Sequence, residues 1–525
     1  MNPETAEAAA GEPLAAPAAR VDSRAAAAEL PAPPARAAHA SLPMRLRARL
    51  RELRADEARM TALRDCRRAF LGSRLLIWTV GVGTVALFGF GPHRNAFDPP
   101  GTTRGFGWLG DLLAAPAARW DSAWYLVIAH FGYRPDLGSF TASRTAFFPL
   151  YPLALRGLSQ LGSPPVLAGV LISLVAFAAA LYGIHRLTTL EFGHARQAAG
   201  AGGAARAARA AGAAGAAAGG AGAGRAAETA RLAVLLTAFA PVAFFFSAVY
   251  SESLFLALSV GVFWSARKGR WWLAGLLGAL AAATRSTGLV LLLPVALLYL
   301  YGPREDRAPD RSAARLRRAR RGERAGTRLA GRLSPRYRLR ADVLWLALIP
   351  LGGGAFSLWL ALGGGDGLSP FHTQVVWGRH FAGPYLGIWD GLQAGFDGVR
   401  QLLSFQRQHV YFPQTGGSPF VTASHNLILL GFLVAAIPAL VAAVRRLPAA
   451  YAAYAIAALA LPLSYPVTPQ PLMSLPRFLL VLFPLTIGVA SWLSEHPRAV
   501  RPLLVLSTLL MVFFLCQFAT WHWVA

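Results

Sequence analysis

The chain has 525 residues, 55% of them hydrophobic and only 14% charged, with a mean hydropathy of +0.43. Soluble domains carry about a quarter charged residues, so the composition excludes a soluble globular protein and indicates a polytopic membrane protein. The formal net charge of +26 is almost all arginine, Lys268 being the single lysine; no soluble basic domain collects it, which excludes a nucleic-acid-binding module.

In chain order, residues 1–43 are Ala/Pro-rich, lack a hydrophobic core and are expected to be disordered. The first apolar run begins near Leu75 with no cleavage site after it, so no signal peptide is expected. Residues 44–73 form a basic cytoplasmic segment. Candidate spans for a hydrocarbon core of about 30 Å then fall near 74–91, 165–187, 231–249, 251–266, 271–284, 287–301, 342–362, 424–444, 449–465, 476–494 and 501–522. The expectation is an all-α multispan domain over 74–522 with about eleven transmembrane helices. The short runs between 231 and 301 leave tilted or re-entrant segments open.

Arginine placement orients these spans. Residues 42–74 hold ten Arg against four acids, and residues 302–341 hold fourteen against four. Basic turns also occur at Arg267, Lys268 and Arg270, at Arg445 and Arg446, and at Arg498 and Arg501. With all of these in the cytoplasm, the spans alternate without contradiction, the N-terminus inside and the C-terminus outside. Residues 190–229, rich in Ala, Gly and Arg, read as a flexible cytoplasmic insertion, because glycine disfavours a stable helix. Residues 302–341 read as a basic cytoplasmic loop. The near-balanced loops 92–163 and 363–422 then lie outside, together with Tyr250–Ser253, the turn Thr284–Thr287 and residues 466–475. Cys66 precedes the first span and Cys516 lies within the last, so a disulfide is not expected.

Polar residues on that outer face are the chemical candidates. Trp120, Asp121, Trp124 and Tyr125 open a stretch whose Trp120, Trp124, Val127, Ile128 and Phe131 share one helical face, with Gly132 as a C-terminal cap. This describes an interfacial helix with aromatic residues at headgroup depth. Asp121 in its first turn is either a helix cap or an ionised carboxylate able to accept a proton from a hydroxyl. Glu252, flanked by Ser251 and Ser253, is costly so near hydrocarbon unless it is paired or functional. Arg285, in a turn of small residues, and Arg477, entering the tenth run behind a Pro-rich stretch, are anion-site candidates or interfacial anchors. His372, His380, His409 and His425 match no metal-ligand spacing. No P-loop, dinucleotide fingerprint, zinc-protease or serine-hydrolase motif occurs. A transporter would show ionisable residues at mid-membrane depth and repeat symmetry; the sequence shows few such residues and no repeat.

Trp120-Asp121-Ser122-x-Trp124-Tyr125 with Ile128-Ala129 and Gly132-Tyr133, then Ala146-Phe147-Phe148-Pro149-Leu150-Tyr151-Pro152, resembles the signature of the PIG-V-type mannosyltransferases. That family includes the transferase adding the second mannose of GPI anchors and bacterial relatives. Tyr250-x-Glu252-Ser253-Leu254-Phe255, Thr284-Arg285-x-x-Gly288 and Pro476-Arg477-Phe478 follow in the same order. The resemblance implies a GT-C type glycosyltransferase fold with an extracytoplasmic first loop. It also implies a polyprenyl-phosphate mannose donor and transfer with inversion to a lipid, glycan or protein acceptor. On that reading Asp121 is the catalytic base, and Arg285 and Arg477 hold the donor phosphate. Trp120, Trp124, Tyr125 and Tyr151 line the sugar or lipid site, and Glu252 orients the acceptor or pairs with an Arg. No cofactor or metal ligand set is expected, and no nucleic-acid partner. The heavy use of Arg, Ala and Gly fits a GC-rich genome, hence a bacterial plasma membrane. Transfer of another lipid-linked sugar is the alternative within the same class.

Overall fold

A computed structural model describes residues 57–90, 107–133, 143–207, 212–309, 335–412 and 417–524, with only the backbone described at 194–207 and 212–221. The expectations for 1–43, for residues 44–56 of the basic segment 44–73 and for the centre of the loop 302–341 lie outside the described residues. The chain divides at Met60 into two compact units. The described part of the first is Glu57–Met60, the opening turn of a helix; the second, Thr61–Ala525, holds the rest.

Among the described residues the protein is all-helical. The helices are α1 (Glu57–Phe88), α2 (Gly107–Ala114), α3 (Ser122–Phe131), α4 (Leu150–Gln160), α5 (Pro165–Ala207), α6 (Gly212–Ala238), α7 (Glu252–Arg267), α8 (Trp271–Ala282) and α9 (Leu292–Tyr301). They continue with α10 (Leu348–Leu362), α11 (Ser369–His372), α12 (Pro384–Ser404), α13 (Pro419–Arg446), α14 (Ala449–Leu463), α15 (Leu475–Leu480), α16 (Phe483–Leu493) and α17 (Pro497–Ala519). The central packing runs α6–α5–α7–α8–α10, with α16 joining α6 to α13.

Each of the eleven expected runs overlaps helix, but among the described residues only five helices are long and apolar enough to cross a membrane: Glu57–Phe88, Pro165–Gly193, Ala341–Leu362, Pro419–Arg446 and Pro497–Ala519. The other runs are shorter or broken, and proline does much of the breaking. Pro241 follows the end of α6, and Pro484 opens α16 behind the break that separates it from α15. The fixed proline ring and its effect on the preceding residue end a helix in this way. The insertion 190–229 also departs from expectation. Its described backbone is helical through Ala207 and again from Gly212, because the helix propensity of alanine outweighs the glycines.

Arg74 is a second correction. The sequence places it with the cytoplasmic cations, yet it is buried, 5% exposed, in α1. Its guanidinium donates to the Ala238 carbonyl at 3.2 Å, the Ala243 carbonyl at 3.1 Å and Ser247 Oγ at 2.7 Å, and it lies 4.5 Å over the Phe177 ring. These acceptors belong to the last residue of α6 and to the irregular segment between α6 and α7. Ser173 Oγ bonds the Ala248 carbonyl at 2.7 Å, Ser253 Oγ bonds the Phe246 carbonyl at 3.0 Å, and the Val249 N–H donates to the Ala117 carbonyl at 2.9 Å. Non-helical backbone is tolerated among spans only where protein groups satisfy it in this manner.

The bundle has two chemically different ends. Glu252 and Arg267 occupy opposite ends of α7, about 22 Å apart along the axis at 1.5 Å per residue. Around Arg267 gather Glu191, which it pairs with, and Tyr451, which donates to Glu191 at 2.7 Å. Lys268 pairs with Glu305 at 2.6 Å and Arg446 with Glu495 at 2.8 Å. The basic turns at 267–268 and 445–446 thus share one end, and Glu252 marks the other.

Replacing Arg74 by leucine strips the donors from two buried carbonyls. The expected cost is about 2 kcal/mol or more, since each unsatisfied buried group costs roughly 1–3 kcal/mol. A lowered unfolding midpoint of the purified protein in detergent checks this; an unchanged midpoint contradicts it.

Candidate functional site

The site is assembled around Glu252, which has no solvent exposure. α7 begins at this residue, and the buried segment before it fixes the approach of the chain. Arg477, in the short helix α15, reaches Glu252 Oε1 through both Nε and Nη2 at 2.9 Å. Arg285 Nη1 lies 2.8 Å from the same oxygen, without the alignment of a hydrogen bond. The third amino group of Arg477, Nη1, donates to Asp121 Oδ2 at 2.5 Å. One guanidinium therefore bridges two carboxylates from segments 356 and 225 residues away in sequence. The Arg477 guanidinium also sits 4.7 Å from the Tyr250 ring and 5.3 Å from the Phe245 ring.

Local backbone geometry explains how these side chains are aimed. Asp121 precedes α3, but its side chain makes no capping hydrogen bond, so the helix-cap reading does not describe it. Its N–H donates instead to Tyr250 Oη at 3.0 Å, and Tyr250 donates on to the Arg119 carbonyl at 3.0 Å. Trp120 before it and Ser474 before α15 are both left-handed, with φ of 56° and 69°. Non-glycine residues in that region cost on the order of 1–3 kcal/mol and persist where surrounding structure enforces them. Here they flank both members of the Asp121–Arg477 pair. Arg285 is presented by the 3-10 helix Ser286–Leu291, which folds back onto α8. Gly288 permits that approach, because a Cβ there would meet the Ala281–Ala282 backbone at 2.3 Å.

Asp121, Arg285 and Arg477 line one cavity of about 370 Å³, together with Tyr125, Phe147 and Thr287. The Asp121 side chain is 22% exposed there, and its Oδ1 has no hydrogen-bond partner among the described residues. A carboxylate held on one oxygen and open on the other is placed to accept a proton. Guanidinium groups on the same wall are placed to hold an anion. Among the described residues no group of three or more His, Cys, Asp or Glu side chains is arranged to hold a metal.

The remaining sequence candidates divide. Tyr125 lines the cavity and its hydroxyl lies 2.8 Å from Ser251 Oγ. Glu252, expected to orient the acceptor or to pair with an Arg, lies behind the wall and does the second. Tyr151 is fully buried and donates to the Gly169 carbonyl at 3.0 Å. It ties α4 to α5 and backs the Tyr125 ring, centroids 5.0 Å apart, rather than lining the cavity. Trp124 stacks on Phe147 at 5.5 Å, one layer behind the wall. Trp120 packs edge-on against Trp521 and Trp523, at 5.8 and 5.1 Å. The buried face of α3 is Ser122, Tyr125, Leu126, Ile128 and Ala129, so only Ile128 of the expected apolar stripe is buried in it. Arg379 and Trp523 are among the wall residues absent from the sequence expectations.

Comparison with known proteins falls on this region. The model of the Mannosyltransferase (PIG-V) family matches residues 222–299. This stretch is PIG-V-like. It carries Glu252 and Arg285, together with the buried segment that delivers Glu252. GPI alpha-1,6-mannosyltransferase 2 of mouse is 30% identical over 212 residues, 38% of this chain and 35% of that protein. The human protein of the same name is 28% identical over 211 residues, with the same shares. The chain thus spans about a third of the length of the curated relatives it matches. No solved structure matches it.

Buried and exposed members of the ion-pair network predict different costs. Glu252→Ala removes the carboxylate between the buried Arg477 and the partly buried Arg285 and leaves Asp121 alone to face both, an expected loss of roughly 3–5 kcal/mol. Asp121→Asn, at a partly exposed position, is expected to cost less than about 1 kcal/mol. Detergent unfolding midpoints of the two variants read the difference; equal losses contradict the placement.

Proposed function

We propose that the protein is an integral-membrane mannosyltransferase of GT-C type. It takes mannose from polyprenyl-phosphate mannose and transfers it, with inversion, to a hydroxyl of a lipid, glycan or protein acceptor. The observation that carries this reading is the shared cavity of Asp121, Arg285 and Arg477: a proton acceptor and two anion-binding groups around a space of about 370 Å³. That volume lies within the range of small-molecule sites.

In the reaction, the acceptor O–H gives its proton to Asp121 as its oxygen bonds to the anomeric carbon. The bond from that carbon to the phosphate oxygen breaks, and the phosphate departs with the electron pair. Arg285 and Arg477 stabilise the charge that develops on it, an electrostatic contribution that is usually the largest in such steps. Glu252 holds both guanidinium groups in register without touching substrate. The three cavity arginines, Arg285, Arg379 and Arg477, exceed the two carboxylates Asp121 and Glu252 by one positive charge. That surplus suits the single negative charge of a phosphodiester donor.

The mouse and human relatives are named as mannosyltransferases, which supports the choice of sugar. The distribution of cations supports a site on the extracytoplasmic face. The basic turns at one end of the bundle then face the cytoplasm of a bacterial cell, as positive-inside bias requires, and the Asp121 cavity opens at the other end. A lipid-linked donor agrees with that placement, and the chain has no nucleotide-binding motif.

Membranes carrying the protein, incubated with radiolabelled polyprenyl-phosphate mannose, are expected to yield a labelled product. General-base catalysis commonly contributes about 10²–10⁴-fold, so Asp121→Asn is expected to lower turnover by that factor while still inserting. No transfer by the wild-type protein, or near wild-type transfer by the variant, contradicts the reading.

A further inference from the structure

Arg379 reaches the cavity from the loop between α10 and α12, far in sequence from the other two arginines. The 3-10 helix Thr373–Trp377 ends at Gly378, whose φ of 68° reverses the chain. The Arg379 N–H then returns to the Gln374 carbonyl at 3.1 Å. An isolated antiparallel bridge joins Arg379 to Val467, and the Ala382 N–H donates to the Ser464 carbonyl at 2.9 Å. These bonds fasten the loop to the stretch leading into α15, so Arg379 stands on the same wall as Arg477.

Its guanidinium is under-used. It donates to the carbonyls of Tyr465 and Met473, both at 3.4 Å, the long end of the hydrogen-bond range. A guanidinium carries five donors. Among the described residues no carboxylate lies within ion-pair distance of it. Burial, then the nearby Arg477 cation, lower its pKa to about 10, against the opposing pull of Asp121; it remains charged at neutral pH. Two further polar atoms of the cavity residues are buried with neither a hydrogen-bond nor an ion-pair partner among the described residues. They are Thr287 Oγ1, in a residue 7% exposed, and Trp523 Nε1. Buried donors left open around one cavity call for an acceptor from outside the protein.

We propose that Arg379 is the third anion-binding arm of this site and engages the phosphate of the lipid-linked donor alongside Arg285 and Arg477. The proposal rests on the transferase reading above. Arg379 differs from its two companions in having no acid to hold it, so its donors are those most open to a ligand. It acts on binding of the phosphate and on the departing charge, not on the acceptor hydroxyl.

The test measures binding of polyprenyl phosphate, the uncharged polyprenol and inorganic phosphate to the full chain in detergent. Wild type, Arg379→Gln and Arg379→Lys are compared, with Arg400→Gln on α12 as a distant control. Ligand-free unfolding midpoints are recorded for all four. The expected result is that wild type prefers polyprenyl phosphate to polyprenol. Arg379→Gln is expected to weaken polyprenyl phosphate binding by about tenfold or more, the size of one lost charge-assisted hydrogen bond. Arg379→Lys should retain part of the affinity, and Arg400→Gln all of it. Inorganic phosphate binding with the same dependence on Arg379 supports the anion role and marks the headgroup as the part recognised. Wild-type preference for polyprenyl phosphate that survives in Arg379→Gln within twofold overturns the assignment of Arg379 while leaving the donor reading standing. A lowered ligand-free midpoint with unchanged preference also overturns it, as a purely structural role. Wild-type protein indifferent to the phosphate overturns the donor reading and this proposal together.

Discussion

A carboxylate with no access to water must be paired, and Glu252 determines what it is paired with. Desolvating an ion costs several kcal/mol, which only close opposite charge and hydrogen bonding offset. Arg477 and Arg285 meet that requirement, and in doing so they draw α15 and the turn after α8 to the first residue of α7. Arg477 has one amino group left over, and that group holds Asp121. The candidate base is thereby located by a chain of charge neutralisation that begins in the interior and ends at the cavity wall.

The scaffold supports this network through segments that are not regular. The stretch between α6 and α7 gives up helical hydrogen bonds beside a transmembrane helix and is compensated by Arg74, Ser173 and Ser253. That compensation fixes Tyr250, whose hydroxyl receives the Asp121 N–H. Left-handed Trp120 and Ser474 concentrate backbone strain at the two ends of one ion pair. Local rules are broken where the site is built and obeyed in the helices around it, the distribution expected when strain is retained for a purpose.

Much of this was legible in the residues. Apolar length located the helices of the central packing, and outward parity grouped Asp121, Glu252, Arg285 and Arg477 from the sequence alone. Their order along the chain carried the PIG-V resemblance, which the match over 222–299 supports. Other features were hidden for physical reasons. Arg74 looks like one more cation of a basic segment, and only packing shows that it faces open carbonyls. Arg379 depends on a left-handed glycine turn and a bridge to Val467, contacts made across 88 residues that no local pattern encodes. Tyr151 carries a family motif but is placed by the partners of its hydroxyl. The helix α12 was within reach: Ile388, Leu392, Phe396, Val399 and Leu403 recur at helical spacing. They lie about 100° around the helix from Gly387, Gly391, Gly395 and Gly398, which face its neighbours. A loop-like charge balance obscured it.

The central claim is that the Asp121–Arg477–Glu252–Arg285 network surrounds a lipid phosphate. An experimental structure of the protein with bound polyprenyl phosphate tests this most directly. The predicted result is phosphate oxygens at about 3 Å from the Arg285 and Arg477 guanidinium groups, with the Asp121 carboxylate facing the adjoining space and Glu252 still buried beneath. A phosphate bound elsewhere, with the network closed and the cavity unoccupied, would contradict it.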